Sequence, residues 1–435
     1  MKLPWFDKNK LKGRKVKIVT LASFVLFAGF FFVPWRPIAD QLMQRGYSVE
    51  DYQQRINQEA LIIEPLPEND QSGSILLPWQ RENEKEVIPE PIPEPEPVNI
   101  HVEIPEEVRA IYWTAHTASN YRAEQLTNYM IETGLNSVVI DLKMDNGALG
   151  FEPLDESLKP YMMKNPSIKD LEGLLAGLKE KGIYRIARLA VMRDSTLART
   201  VPSVALRYPG GSFWVDNTGV LWVDPAAPEV ADYAIALARE AYARGFDEVQ
   251  FDYVRFASDG SISSIRYPVY NPATETKDEV MFRFFEKVSM ALRADGIPLS
   301  FDTFGMPFIR DHGYNIGQKI VDFYQFGDYI SPMTYPSHYY PGFRGYSNPA
   351  LYPYDVVKST LDSGITILEE VNGLLPEETR PKLRPWIQDF DIGAVYTAAR
   401  IEAQINAVRD AGGSGWMLWN ARNVYEPANY LPSGE

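Results

Sequence analysis

The sequence predicts an α/β fold, a (β/α)8 TIM barrel preceded by an N-terminal transmembrane helix and a Pro/Glu-rich linker. Three observations carry that prediction. An uncharged apolar run, Ile18 to Val33, follows a basic N-terminus. Prolines alternate with other residues, mostly glutamate, from Pro89 to Pro97. Beyond them, short β-rich runs alternate with helical patterns from Val108 to Trp419. A chain of 435 residues accommodates one such barrel with appendages, and 45% hydrophobic residues exclude a wholly disordered chain. A net charge of -15 argues against a nucleic-acid partner, which needs a basic footprint. The chain has no cysteine, which excludes disulfide scaffolds, thiol nucleophiles, cysteine-ligated zinc and iron–sulfur clusters.

Residues 1–17 form a basic, cytoplasmic segment, in which Lys2, Lys8, Lys10, Lys12, Arg14, Lys15 and Lys17 face one acid, Asp7. Residues 18–35 read as a transmembrane anchor. Their uncharged run is slightly shorter than the ~20 residues of a spanning helix, and Val16 with the stem of Lys17 extends it. The positive cluster keeps the N-terminus in the cytoplasm and sends everything after it across the cell membrane. Cleavage would release the barrel as a secreted protein, but Phe30, Phe31, Phe32, Val33, Pro34 and Trp35 stand where small residues would be cut. Residues 36–104 are an extracytoplasmic stalk and linker. Ile38 to Ile63 suits a helix broken at Gly46, and Pro89, Pro91, Pro93, Pro95 and Pro97 make a stiff, self-repelling spacer.

Residues 105–430 hold the barrel. The predicted strands are Arg109–Trp113, Ser137–Lys143, Tyr184–Ala190, Glu248–Tyr253, Leu299–Thr303, Tyr329–Met333, Arg384–Ile387 and Trp416–Asn420. Between them the spacing predicts helices over Ala123–Thr133, Ile168–Lys181, Glu229–Arg244, Asp278–Ala294, Tyr354–Asp362 and Thr397–Asp410. Gly134, Gly182, Gly245, Gly296, Gly364 and Gly412 stand at the helix exits. Strands separated by helices imply a parallel sheet with right-handed crossovers, and eight of them make a barrel. An open doubly wound sheet usually brings a glycine-rich first turn, and neither GxGxxG nor GxxxxGK[ST] occurs.

Barrel enzymes place their chemistry at the C-terminal strand ends. In strand four, Glu248, Gln250 and Asp252 share one parity, so an inward Asp252 puts Gln250 and Glu248 below it and sends Val249, Phe251 and Tyr253 to the helix layer. Asp252 with Arg255 nearby suits a nucleophile or charge stabiliser, against the blander reading of a loop ion pair. Asp302 ends strand five beside it. Asp141 and Lys143 project together from strand two, Asp389 ends strand seven and Asn420 ends strand eight. Several acids at several strand ends favour chemistry run on paired carboxylates, as in glycoside hydrolysis. Other acids, such as Asp155, Asp170, Asp311 and Asp355, read as helix caps or solvated charges. Tyr112, Trp113, Tyr335 and Trp419 offer faces on which a sugar can pack, although most barrel aromatics simply fill the core. His101, His116, His312 and His338 form neither HxH nor HExxH, and no metal or other cofactor is called for.

FDEVQFDYVRF (Phe246–Phe256), with Val108–Trp113, Val138–Lys143, ISPMTYPSHY (Ile330–Tyr339) and GWMLWNARNVY (Gly415–Tyr425), resembles a bacterial family of glycosyl-hydrolase-type domains over Ile104 to Tyr430. The resemblance implies a carbohydrate-active barrel distantly related to the α-amylase type, with Asp252 at the nucleophile position of strand four. The amylase pattern has an arginine two residues before that aspartate, a glutamate acid after strand five and a His-Asp pair after strand seven. This chain has Gln250, Asp302 and Gln388-Asp389 there. The expectation is a membrane-anchored, outward-facing glycoside hydrolase acting on a cell-wall or environmental polysaccharide. Asp252 and Asp302 would be catalytic, with Asp141, Lys143, Arg255, Tyr112, Trp113, Tyr335, Asp389, Trp419 and Asn420 binding the sugar. The alternative is a catalytically inactive glycan-binding barrel that organises the cell envelope.

Overall fold

The computed structural model describes residues 100–426, 430 and 431. The expected basic segment (1–17), anchor (18–35) and stalk and linker up to residue 99 lie outside the described residues. Among the described residues no helix is long and apolar enough to cross a membrane.

Eight strands pair in chain order, all parallel, and the last returns to the first to close a barrel. They are β1 (Val108–Trp113), β2 (Ser137–Lys143), β3 (Tyr184–Ala190), β4 (Glu248–Asp252), β5 (Leu299–Phe304), β6 (Tyr329–Met333), β7 (Trp386–Gln388) and β8 (Gly415–Trp419). The connecting helices are α1 (Ala115–Ala118), α2 (Tyr121–Thr133), α3 (Leu171–Glu180), α4 (Ser195–Thr200), α5 (Pro228–Ala243), α6 (Lys277–Ala294), α7 (Ile320–Phe323), α8 (Pro353–Asn372), α9 (Pro376–Thr379) and α10 (Ala398–Asp410). Their starts follow local chemistry. Asp170 and Asp194 cap α3 and α4 through Gly173 N and Leu197 N, and Thr276 forms a capping box with Glu279 at α6.

Alternation along the strands sorts side chains into two layers. Tyr112, Val139, Tyr184, Ile186, Trp386 and Met417 fill the barrel. Trp113, Ile140, Val249 and Phe251 pack outward with Leu126, Leu175, Phe285 and Leu361 of the helices. Three local expectations change. Gly364 does not end a helix: α8 runs on to Asn372 and exits at Gly373, whose φ is 67°. A Cβ at Gly364 would lie 2.3 Å from Phe308, so glycine there serves close packing. The β4 strand stops at Asp252, and Tyr253, with φ 53°, lines the barrel mouth while still packing against the outer layer through Trp222. In β2 the register slips between Asp141 and Lys143, which pair with Arg188 and Leu189. That irregularity breaks the parity the two residues would otherwise share.

Candidate active site

The mouth of the barrel is organised around one guanidinium. Arg188, inward-facing on β3 and 2% exposed, donates from Nε to Asp252 Oδ2 at 3.2 Å and again from Nη2. Its Nη1 donates to Asp141 Oδ1, and both terminal nitrogens lie 3.3 Å from Asp145 Oδ1. Asp302 Oδ2 lies 3.7 Å from Arg188 Nε. Arg188 and Gln250 are register partners on adjacent strands. Arg188 thus brings a guanidinium from strand three beside Gln250, the strand-four residue two before Asp252.

The two acids at the ends of β4 and β5 have different surroundings. Asp252 receives both Arg188 nitrogens on Oδ2, and its Oδ1 accepts the Tyr253 backbone N–H. Asp302 is 1% exposed; its Oδ1 accepts from Trp386 Nε1 at 2.7 Å, while its buried Oδ2 has no hydrogen-bond partner. Burial, reinforced by the Asp252 charge, holds the Asp302 carboxyl well above the usual carboxylate range. Asp141 accepts from Tyr112 Oη as well as from Arg188, and burial pushes it up to about 6 despite the guanidinium.

These side chains open on a cavity of about 140 Å³ lined by Arg188, Asp252, Tyr253, Arg255, Asp302, Phe304, Met333, Tyr335, Trp386 and Trp419. It is smaller than the usual ~300–1,000 Å³ ligand pocket and has the scale of a slot for one ring. Tyr112 stacks on Trp419 at 4.2 Å between centroids, and Trp386 meets Trp419 edge-on at 5.5 Å. A larger cavity of about 470 Å³ lies outside the barrel between α2 and α3. Its lining brings no pair of buried acids together, so chemistry and not size locates the site.

The structure gathers Asp252, Asp302, Arg255, Tyr335 and Trp419 around the mouth cavity, with Asp141 and Tyr112 directly behind Arg188. It takes two expected residues away. Lys143, beyond the register slip, pairs with Asp194 at 2.7 Å and lies 5.4 Å from the centre of the Tyr233 ring of α5. Trp113 is wholly buried in the outer layer. Asp389 and Asn420 line a neighbouring cavity of about 150 Å³ with Phe390, Tyr396 and Glu426. There burial pushes Asp389 up to about 7. Sequence reasoning puts Arg188 at the end of strand three and Trp386 among the strand-end aromatics, but gives neither a role in the site. The available signal was parity: Arg188 shares the face of Tyr184 and Ile186, so a charge had to point into the barrel.

Comparison with solved structures agrees with the barrel. The glycoside hydrolase domain of PgaB (BpsB) from Bordetella bronchiseptica superposes with a TM-score of 0.51 at 11% identity, over 72% of this chain and 94% of that one. At that identity the likeness speaks for the fold alone. A hypothetical protein from Ruminiclostridium thermocellum ATCC 27405 is 27% identical over 44% of this chain and 96% of its own, with a TM-score of 0.39. The spore cortex-lytic enzyme SleL from Bacillus megaterium QM B1551 is 12% identical over 75% and 72%, with a TM-score of 0.43. Among curated proteins none matches the chain. Residues 110–425, well over half of the chain, match the family model described as "Putative glycosyl hydrolase domain", and the chain belongs to that family.

Proposed function

We propose that the barrel hydrolyses O-glycosidic bonds, with Asp302 as general acid and Asp252 as nucleophile. The observation that carries this reading is the contrast between the two acids: one is paired with Arg188, the other keeps a buried oxygen without a hydrogen-bond partner and is pushed well above the usual carboxylate range by burial. Asp302 would give its proton to the glycosidic oxygen as the bond from that oxygen to the anomeric carbon breaks. Asp252 would take the positive charge developing at that carbon and bond to it. The Asp302 carboxylate would then draw a proton from water, whose oxygen displaces Asp252. Both Oδ2 atoms lie within 3.7 Å of Arg188 Nε. They are therefore no more than about 7 Å apart, which admits the ~5–5.5 Å of retaining enzymes and only the near edge of the ~6.5–9.5 Å inverting range. That supports retention of configuration.

The reading extends to residues 1–104, as a cytoplasmic basic segment, a membrane anchor and a stalk that hold the barrel outside the cell membrane. A spacer of that kind suits a catalytic head that reaches a cell-wall or environmental polysaccharide. Incubating the full chain and its Asp252→Asn variant with bacterial and plant polysaccharides and peptidoglycan tests the reading by mass spectrometry. Oligosaccharides released by the unaltered protein alone support it. Equal release by both proteins removes Asp252 from the mechanism, and retention on a polymer without release by either supports a catalytically silent glycan binder.

A further inference from the structure

We infer, on the basis of the site reading above, that the sugar unit held at the barrel mouth carries a carboxylate, which makes the substrate an acidic glycan of the uronic-acid kind. The observation is a buried arginine without an acid. Arg255 follows β4, is 6% exposed and lines the mouth cavity. Its Nη1 donates to Phe256 O at 3.1 Å and Ser258 Oγ at 2.9 Å, which fixes the plane of the guanidinium. Its central carbon lies 4.5 Å from the Phe304 ring centre, 5.0 Å from Trp222 and 5.4 Å from Tyr253. Among the described residues no carboxylate comes within 4.0 Å of it, and neither Nε nor Nη2 finds an acceptor. Arg185, Arg188 and Arg384, more deeply buried still, each pair with an acid.

The carboxylates whose charges reach it are Asp252, held by Arg188 and the Tyr253 N–H, and Asp259, whose Oδ1 accepts from Asn217 N. A guanidinium taken out of water is costly unless an anion meets it, and aromatic faces return only part of that cost. With Nη1 tied down, Nε–H and Nη2–H present the fork edge that a planar carboxylate accepts with both oxygens. A sugar hydroxyl would occupy one of those donors and leave the charge unmet. The cavity has room for one ring, so the carboxylate belongs on that ring or directly beside it.

The test uses the purified full chain, polygalacturonate and alginate, and the same polymers after reduction of their carboxyls to neutral alcohols. Residues 1–17 carry seven basic side chains against one acid and attract polyanions by themselves, so retention of a polyuronide reports the mouth only where Arg255→Gln removes it or a free uronate competes for it. At least one polyuronide is expected to bind at least 10-fold more tightly than its reduced form, and free glucuronate or galacturonate to compete where glucose and galactose do not. Arg255→Gln should bring the two polymers within about twofold of each other, and Arg255→Lys should recover only part of the preference. The competition experiment needs no variant, so it stands if either substitution fails to fold. Equal affinity for the acidic and reduced polymers, retention of no uronide, or a preference for dextran sulfate or a phosphorylated dextran overturns the assignment. Binding of a polyuronide without product release counts against the hydrolase reading alone. Release from neutral polymers alone counts against the carboxylate alone.

Discussion

Strand β4 carries a buried acid at each end, and the two ends of the barrel treat them differently. At the lower end, Glu248 takes both of its bonds to Arg384 from Nη2, at 2.6 and 2.7 Å, and also accepts from Ser300 Oγ and Tyr184 Oη. The remaining Arg384 nitrogens have no acceptor, but the guanidinium lies 3.9 Å from the centre of the Tyr329 ring, whose face shares its charge. At the upper end, Asp141, Asp145 and Asp252 divide one guanidinium, and Asp302 keeps an oxygen unpartnered beside a cavity. A buried charge alone therefore does not mark a site. One acid per cation in a filled layer is a plug; more acids than one cation can meet, next to an opening, is chemistry waiting for a substrate.

Replacing the acid at each end separates the two. Asp302→Asn should lower kcat on a natural glycan by about 10²–10⁴-fold while the fold persists. On an aryl glycoside with a readily leaving phenolate, steady-state kinetics should show a much smaller loss, because little protonation is needed there. Glu248→Gln should do the opposite. It leaves Arg384 buried with no counter-ion and should cost about 3–5 kcal/mol in denaturant unfolding, with activity per folded molecule unchanged.

The pH dependence of stability sharpens the comparison next. Burial raises Asp141 to about 6 and Asp389 to about 7, so the folded chain holds protons that the unfolded chain has released. Their contribution is complete below the unfolded value of about 3.9 and is lost as pH rises through about 6 and then 7. Melting temperature should therefore fall between pH 5 and 8, and Asp389→Asn should flatten the upper part of that fall in a calorimetric series. A melting temperature that rises across this window would contradict the burial argument. The smallest effect belongs to Trp386→Phe, which deletes one hydrogen bond to the Asp302 carboxylate, worth about 1–2 kcal/mol. That bond favours the ionised form, so its loss should move the alkaline limb of the rate profile upward.

The barrel was legible in the sequence because its strands are short, apolar and separated by helices that end in glycine. Seven of those strands lie within a residue or so of their expected bounds, and the inward parity of Glu248, Gln250 and Asp252 follows from alternation alone. Lys143 was misplaced because a register slip has no residue signature, and one slip reverses the face. Gly364 was misplaced because a packing glycine and an exit glycine look alike until the neighbour, Phe308, is known. The partnership of Arg188 with acids on β2, β4 and β5, and of Arg384 with Glu248 across 136 residues, depends on closure of the barrel. Asp389 and Asn420 do stand at strand ends, but the division of the mouth into two cavities is a matter of loop packing.

The central claim is that Asp302, and not the arginine-paired Asp252, is the acid that carries the proton. Infrared difference spectroscopy of the unaltered chain against Asp302→Asn at pH 7 addresses it without any substrate. A protonated-carboxyl band that disappears in the variant is the predicted result. Loss of a carboxylate band instead, with the protonated-carboxyl region unchanged, would mean that Asp302 is ionised and is not the acid.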